Sequence, residues 1–151
     1  MATIDLAVEP VGSAYVALLD AALMFCTELR FITFDRWQMT ERAADLVERL
    51  KPWLTAEEIV TTWPGTQLGP GWTARLWRVH LVPEVVRVLL DVTSGFEDWG
   101  GDLPEDPHLV RADGTPFLGS SSSEEDVWLE LHDSEEATIR AVPEIQELLT
   151  S

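Results

Sequence analysis

The sequence predicts an α+β fold, with helices packed on one face of a mostly antiparallel sheet of about five strands. The clearest observation is the pair Asp113-Gly114 between two short apolar runs. This pair is typical of a tight β-hairpin turn with positive φ at both central residues. Residues 73–81 alternate like a half-exposed strand, and residues 41–51 carry apolar side chains at helical spacing. With 151 residues, the chain is expected to form a single domain over residues 1–151.

The first part of the chain predicts an edge segment, a helix and a strand. Ile4 and Leu6 lie in an extended lead-in that is a candidate for pairing at a sheet edge. Ser13 is a candidate N-cap for a helix over residues 14–28, which is apolar on almost every side. Such a helix is expected to be buried against several elements and to be the most buried helix. Residues 30–35 predict a central strand, with a continuation of the helix as the alternative.

A second helix is predicted over residues 41–51. Thr40 is expected to cap it, because a threonine hydroxyl can accept a hydrogen bond from a free N–H of the first turn. On this helix, Asp45 and Arg49 are spaced for an i,i+4 ion pair.

The next stretch predicts a short helix and then a loop. Thr55 and Glu58 match the capping-box pattern, which indicates a helix over residues 55–62. Residues 63–72 are rich in proline and glycine and predict a loop. A third helix follows the strand at 73–81, and Gly95 is expected at the left-handed position after it.

The last part of the chain predicts three consecutive strands and a helix. Residues 108–112 and 115–120 flank the Asp-Gly turn, and residues 127–131 form the third strand candidate. Asp133 and Glu136 match a second capping box, which predicts the start of a helix.

Negative charge is concentrated in the same part of the chain. The net charge is -17, and residues 91–151 contribute sixteen acids against only two bases, Arg111 and Arg140. The negative electrostatic potential of these acids repels nucleic acids and anionic membranes and attracts a basic partner or cations. The alternative interpretation is that these acids serve solubility alone.

The residues near the start predict a cytoplasmic protein. Cys26 is the only cysteine, so an intrachain disulfide is impossible, and a reducing compartment is expected. The first basic residue is Arg30, which argues against a signal peptide. Residues 14–26 are largely apolar but shorter than the ~20 residues that a membrane span needs.

Four short motifs resemble those of a group of small uncharacterised bacterial proteins. They are Trp63-Pro64-Gly65-Thr66, Leu103-Pro104-Glu105-Asp106, Arg111-Ala112-Asp113-Gly114 and Trp128-Leu129-Glu130-Leu131. Members of this group carry His-Glu-Arg between the hairpin and the last strand, where this chain has residues 122–125, Ser-Ser-Glu-Glu. The resemblance implies no activity.

No pattern in the sequence indicates catalysis or a cofactor. Cys26 lies among apolar residues, where burial would keep its thiol protonated and inert. Residues 120–123 are four serines without the Gly-x-Ser-x-Gly pattern of a nucleophile. The glycines lack the spacing of a phosphate-binding loop.

No metal site is predicted either. Asp106, His108, His132 and Asp133 are candidate ligands, but their spacing is not typical of zinc sites. The acids of residues 97–106 lack the alternating pattern of a calcium-binding EF-hand.

The acidic segments predict a surface for a basic protein partner. If the last three strands pair in order, the acids on both sides of the hairpin meet at one end of the sheet, with tryptophans nearby. The predicted partner-binding residues are Glu97, Asp98, Trp99, Asp102, Glu105, Asp106, Glu124, Glu125, Asp126 and Trp128. The sequence therefore favours a protein-binding module, in its sharpest form an immunity protein or antitoxin, and leaves the oligomeric state open.

The alternative function is that of a small enzyme or ligand-binding protein. Its site would be a groove lined by Trp63, Trp72, Trp77 and Trp99, with carboxylates nearby.

Overall fold

The computed structural model describes residues 1–6 and 8–149, and it confirms the α+β class. The helices are α1 Ser13–Phe25, α2 Glu41–Leu50, α3 Pro83–Val92, α4 Asp133–Arg140 and α5 Pro143–Leu149. The strands are β1 Ala2–Asp5, β2 Glu28–Thr33, β3 Leu54–Val60, β4 Thr62–Trp63, β5 Thr66–Gln67, β6 Ala74–His80, β7 Glu105–Val110, β8 Pro116–Ser121 and β9 Asp126–Leu131.

The main sheet has seven strands in the order β1-β9-β8-β7-β2-β6-β3, and all of its pairs are antiparallel. The predicted number of about five is therefore wrong. Two strands account for the difference. The lead-in forms β1, where Ile4 pairs with Leu129 at one edge, and β3 forms the other edge.

The helix predicted over residues 55–62 is wrong, because this segment is β3. Thr55 does not cap a helix, and its hydroxyl donates to the backbone carbonyl of Arg78 on β6 (3.1 Å). Glu58 pairs with the Arg78 guanidinium instead of a helix N-terminus (2.8 Å). The local capping pattern is thus overridden by contacts with the neighbouring strand.

The predicted loop over residues 63–72 contains a small hairpin. Strands β4 and β5 pair across Pro64 and Gly65, and Gly65 takes a φ of +83°. Proline followed by glycine suits such a turn, because proline presets φ and glycine tolerates a positive φ.

Apolar residues cover both faces of the main sheet. The main core contains buried side chains from all five helices together with Phe31 and Trp77. The next residue along β2, Ile32, and the preceding residue on β6, Leu76, belong to a second cluster with Trp63. Successive strand residues face opposite sides. The helices therefore lie on one face, and the β4–β5 hairpin covers part of the other.

The first helix differs from its prediction. It begins at Ser13 and ends at Phe25, Gly12 occupies the N-cap position, and no side chain caps the helix. Val16 and Met24 are exposed, so α1 is not buried on every side. Its other face packs on α3 and α5.

The ends of α2 and α3 agree only in part with their predictions. Thr40 caps α2 as predicted, since its hydroxyl accepts from the Ala43 N–H (3.1 Å). Arg49 pairs with Asp91 on α3 rather than with Asp45 (2.9 Å). Gly95 has a φ of -179°, which is extended, so the prediction of a left-handed position there is wrong.

The capping box of α4 also differs from its prediction. It is formed by His132 and Glu135 instead of Asp133 and Glu136.

The Asp-Gly hairpin is confirmed, but its turn differs from the predicted one. Gly114 has a φ of +88°, whereas Asp113 is not among the residues with positive φ. The Gly114 N–H donates to the Arg111 carbonyl (2.9 Å), and the Arg111 N–H donates to the Thr115 carbonyl (2.9 Å). These two bonds enclose a three-residue loop, which matches a turn followed by one left-handed glycine.

A buried ion pair joins this hairpin to α4. The Arg111 guanidinium donates to both carboxylate oxygens of Glu135, at 2.8 and 2.5 Å, and both side chains are only 7% exposed. Arg111 also donates to the backbone carbonyls of Pro116 on β8 and Glu130 on β9. One side chain therefore connects three strands and a helix. The hydrogen bonds from Arg111 hold the pKa of Glu135 below its ordinary value.

We expect Arg111→Met to lower the free energy of unfolding by about 3–5 kcal/mol, because Glu135 would remain buried without its partner. The measurement is urea unfolding monitored by circular dichroism. Arg140→Met is the control, since Arg140 forms an exposed i,i+4 pair with Glu136, and we expect it to cost at most about 0.5 kcal/mol. Adding Glu135→Leu to Arg111→Met should restore part of the loss. Equal effects of Arg111→Met and Arg140→Met would contradict this account of the pair.

Candidate functional site

A cavity of about 380 Å³ lies at the end of the β8–β9 hairpin. We call it the acidic pocket. It is lined by Leu6, Val8, Glu9, Phe96, Glu97, Trp99, Ser120, Ser121, Ser122, Glu125, Asp126 and Val127. Its acids come from three separate segments of the chain, and no lining residue is basic.

Backbone contacts bring the first two of these segments together. Val11 forms an isolated bridge with Gly95, and the Gly12 N–H donates to the Ser94 carbonyl (3.3 Å). A β-carbon on Gly95 would lie 2.9 Å from the carbonyl oxygen of Pro10, so glycine permits this close approach. The segment that carries Glu9 is thereby held beside Glu97.

The third segment is the turn between β8 and β9. Glu125 occupies this turn with a φ of +57°, which is unusual for a residue other than glycine. The turn is held by Asp106, whose carboxylate accepts from the Ser122 N–H (2.7 Å) and whose own N–H donates to the Ser122 hydroxyl (3.0 Å). This bracing places the acids of the turn at the rim of the pocket.

The carboxylates of the pocket repel one another. The pKa of Glu9 is raised, first by burial and then by the charges of Glu97, Glu125 and Asp98, with a hydrogen bond to the Glu97 backbone in opposition. The Glu9 Oε1 atom is buried and has no hydrogen-bond partner. Among residues 1–6 and 8–149, no salt bridge involves Glu9, Glu97, Glu125 or Asp126. The pocket is therefore a site of uncompensated negative charge.

Four of the predicted partner-binding residues line this pocket: Glu97, Trp99, Glu125 and Asp126. Glu124 is exposed in the same turn. Asp98 adds its charge but accepts hydrogen bonds from the Ser94 N–H (2.6 Å) and hydroxyl (2.9 Å).

The remaining predicted residues lie elsewhere. Asp102 and Glu105 line a second groove, and Asp106 is 7% exposed. Both carboxylate oxygens of Asp106 accept hydrogen bonds, one from the Ser122 N–H and one from the Trp63 indole (2.8 Å). Its position is therefore that of a buried support for the turn.

The two predicted tryptophans occupy different environments. Trp99 is 4% exposed and packs on Phe31, so it forms the floor of the pocket more than its rim. Trp128 does not line the pocket, because its ring lies on the opposite face of the sheet. A β-carbon on Gly119 would lie 2.3 Å from that ring, and one on Gly65 would lie 2.6 Å from it. Trp128 is thus sandwiched between β8 and the β4–β5 hairpin.

A second polar feature lies beside Asp106 in β7. It is His108, which the sequence indicated only as a candidate metal ligand. His108 is 2% exposed, and its Nδ1 lies 2.9 Å from the Asp106 carbonyl oxygen. A carbonyl can only accept, so Nδ1 carries the proton of the neutral imidazole. Burial lowers the pKa of His108 to about 4. Its burial was not evident from the sequence, because the acidic Glu105 and Asp106 belong to the same strand.

Charged side chains continue along the same face. The Arg78 guanidinium donates to both oxygens of Glu28 (2.8 and 2.9 Å), and Arg30 donates to Glu28 as well (3.1 Å). These bonds, led by those from Arg78, lower the pKa of Glu28 to about 2. With Glu58, which also pairs with Arg78 (2.8 Å), the cluster contains two acids and two bases and is a structural network.

The second groove has a volume of about 560 Å³, and we call it the aromatic groove. Its lining includes Phe34, Asp35, Trp37, Met39, Arg75, Trp77, Asp102, Leu103, Pro104 and Glu105. Of the four tryptophans predicted to share a groove, only Trp77 lines this one. Trp99 lines the acidic pocket, Trp63 is buried, and Trp72 lies under the Arg36 guanidinium, 3.2 Å from its ring centre. The predicted four-tryptophan groove is therefore not formed.

The described residues contain no group of three or more His, Cys, Asp or Glu side chains placed to hold a metal ion. Burial raises the pKa of the Cys26 thiol to about 12, in line with an inert core cysteine. Within residues 1–6 and 8–149, no helix has both the length and the apolar character to cross a membrane.

No protein-family model, curated protein or solved structure matches the chain. The assignment of function therefore depends on the geometry of the two cavities.

We expect the free energy of unfolding to fall between pH 6.5 and about pH 4 because of His108. The unfolded chain takes up the proton at the ordinary pKa, whereas the buried imidazole resists it, so stability is present above this window and is lost through it. The loss is at most about 3 kcal/mol. Urea unfolding at several pH values measures it.

His108→Asn keeps a donor near the Nδ1 position and removes the titration, so it should flatten this part of the pH profile. His80→Asn is the control, because His80 is exposed, and it should leave the slope unchanged. A profile that His108→Asn does not alter would rule out this role of the buried histidine.

Proposed function

We propose that this chain is a protein-binding module that holds a basic protein partner at the acidic pocket. The observation that carries the proposal is the convergence of Glu9, Glu97, Glu125 and Asp126 from three chain segments on one cavity without a basic lining residue. Structural carboxylates are normally paired or hydrogen-bonded when partly buried. Here the partly buried Glu9 has one carboxylate oxygen without a partner, and the other three acids of the pocket are exposed around it. An external cation would relieve the repulsion between Glu9 and its acidic neighbours.

The chemistry of the pocket suits a guanidinium or ammonium group. A partner's arginine or lysine side chain would donate to the buried Glu9 Oε1, which has no partner, and would lower the repulsion with Glu97 and Glu125. The serine hydroxyls and the Trp99 ring provide polar and aromatic contacts around the entering stem. The exposed acids at the rim, Glu124 included, would mainly increase the association rate.

An immunity protein or antitoxin that neutralises a basic toxin in the cytoplasm fits this chemistry. The strong excess of acids in residues 91–151 supports it, because complementary charge raises association rates and selects partners. The same negative charge disfavours nucleic acids and anionic membranes as partners. The resemblance to small uncharacterised bacterial proteins is compatible with this class and adds no activity.

A ligand-binding function is the second candidate, and the aromatic groove favours it. The groove combines aromatic and aliphatic side chains with three carboxylates, a composition common among small-molecule sites. Its chemistry is independent of the acidic pocket.

The test begins with capture of partners from the native host, followed by association kinetics with the purified partner at several salt concentrations. The pocket variant combines Glu97→Gln, Glu125→Gln and Asp126→Asn. We expect it to associate about tenfold more slowly at low salt, with a weaker dependence on salt.

The control variant has the same change of charge away from the pocket. It combines Glu41→Gln, Asp45→Asn and Glu147→Gln, which are exposed and form no salt bridge in the described chain. It should leave the kinetics close to those of the wild type. Equal slowing by both variants would show that net charge alone is responsible, and a captured partner without basic character would refute the proposal.

A further inference from the structure

The aromatic groove contains one carboxylate that the fold does not use. Asp35 accepts two hydrogen bonds from Arg75 (both 2.9 Å), and Asp102 is paired with Arg42 (3.1 Å). Within the described part of the chain, Glu105 forms neither a hydrogen bond through its side chain nor an ion pair. The charge of Arg75 is balanced by Asp35 and Glu57 (3.0 Å). The groove therefore presents one uncompensated negative charge, at Glu105.

Two other polar side chains of the groove are committed to the protein. The Trp77 indole donates to the Thr33 hydroxyl (2.8 Å), and the Thr40 hydroxyl donates to the Asp102 backbone carbonyl. Among the described residues, the side chains that line the groove without a hydrogen bond and could bind a polar ligand group are Glu105 and the exposed amide of Gln38, and only Glu105 carries charge. Burial, followed by the neighbouring charge of Asp106, raises the pKa of Glu105, so a cation placed beside it would stabilise its ionised form.

The aromatic lining indicates what kind of cation fits. Trp37 is 63% exposed, an unusual state for so large an apolar side chain, and it meets Phe34 edge to face with ring centres 5.2 Å apart. Met39, Leu103 and Pro104 continue the apolar lining. Aromatic faces attract cations and also pack against apolar bodies. A hydrated inorganic ion would leave this surface unused.

We propose that the aromatic groove binds a small organic amine, with its ammonium group at Glu105 and its apolar body against Phe34 and Trp37. A volume of about 560 Å³ suits a small molecule, and the lining is already assembled in the folded chain. This site lies apart from the acidic pocket, since the two share no lining residue. It therefore holds or fails independently of the proposed protein partner.

The test uses phenethylammonium as the probe in isothermal titration calorimetry with the full chain. Its neutral isostere, 2-phenylethanol, lacks the charge, and ethylammonium lacks the aromatic body. We expect phenethylammonium to bind, with each of the other two at least about tenfold weaker. Absence of heat from phenethylammonium up to about 10 mM, or equal affinity for 2-phenylethanol, would overturn the proposal.

Variants locate the site. Glu105→Gln retains the shape and removes the charge, and Trp37→Ala removes the aromatic face; each should weaken phenethylammonium at least about tenfold. The matched controls are Glu147→Gln and Met24→Ala, which change an exposed acid and an exposed apolar side chain outside both cavities, and both should bind like the wild type. Circular dichroism and the melting temperature establish that each variant is folded. Unchanged binding by folded Glu105→Gln would show that the amine is not held at Glu105. An equal loss in Glu97→Gln would place the amine in the acidic pocket instead and would also overturn the proposal.

Discussion

The buried pair of Arg111 and Glu135 is the interaction on which the arrangement of β7, β8, β9 and α4 depends. A buried carboxylate is tolerated only with a partner of excellent geometry, and the arginine fork meets it with two hydrogen bonds. The same guanidinium satisfies backbone carbonyls of β8 and β9, so strand pairing and helix docking share one side chain. These strands carry the turn that forms one wall of the acidic pocket. The geometry of the pocket is thereby tied to the core.

Both faces of the sheet contribute to the acidic pocket, although the helices cover only one of them. The helix face is apolar, and the acidic pocket opens at its end, where Trp99 and Phe96 close the core. The opposite face carries charged residues that compensate one another, and Trp63 and Trp128 hold a small hairpin over it. Because Asp106 bonds both to Trp63 and to Ser122, the hairpin is linked to the turn at the pocket. The residues of the acidic pocket are therefore supported from both faces of the sheet.

Some features that depend on neighbouring residues in the sequence were predicted correctly. Several features that depend on contacts between distant residues were not. Thr40 and the Asp113-Gly114 hairpin were predictable because a cap or a turn depends on neighbours in sequence. Strands β7, β8 and β9 do pair in order, which brings the acids near Glu97 and Glu125 together as the sequence suggested. Glu9 gave no local signal, because its place depends on the bridge between Val11 and Gly95. The helix predicted over residues 55–62 is wrong for the same reason, because contacts with β6 across the sheet outweigh a local capping pattern.

The distribution of the bases explains why the acidic pocket has no internal partner. Within residues 1–6 and 8–149, nine of the ten Lys and Arg residues form salt bridges, and the tenth, Arg36, lies over the rings of Trp37 and Trp72. Each base thus already has a partner in the described part of the chain, where ten of the 27 acids are paired with a base. Surplus acids scattered on a surface are compensated by water and counterions at little cost. In the acidic pocket, burial and then the charges of the exposed Glu97 and Glu125 raise the pKa of Glu9, and a cation from outside would relieve this repulsion. A fold that served solubility alone would gain nothing from this convergence, and this difference favours recognition of a basic partner.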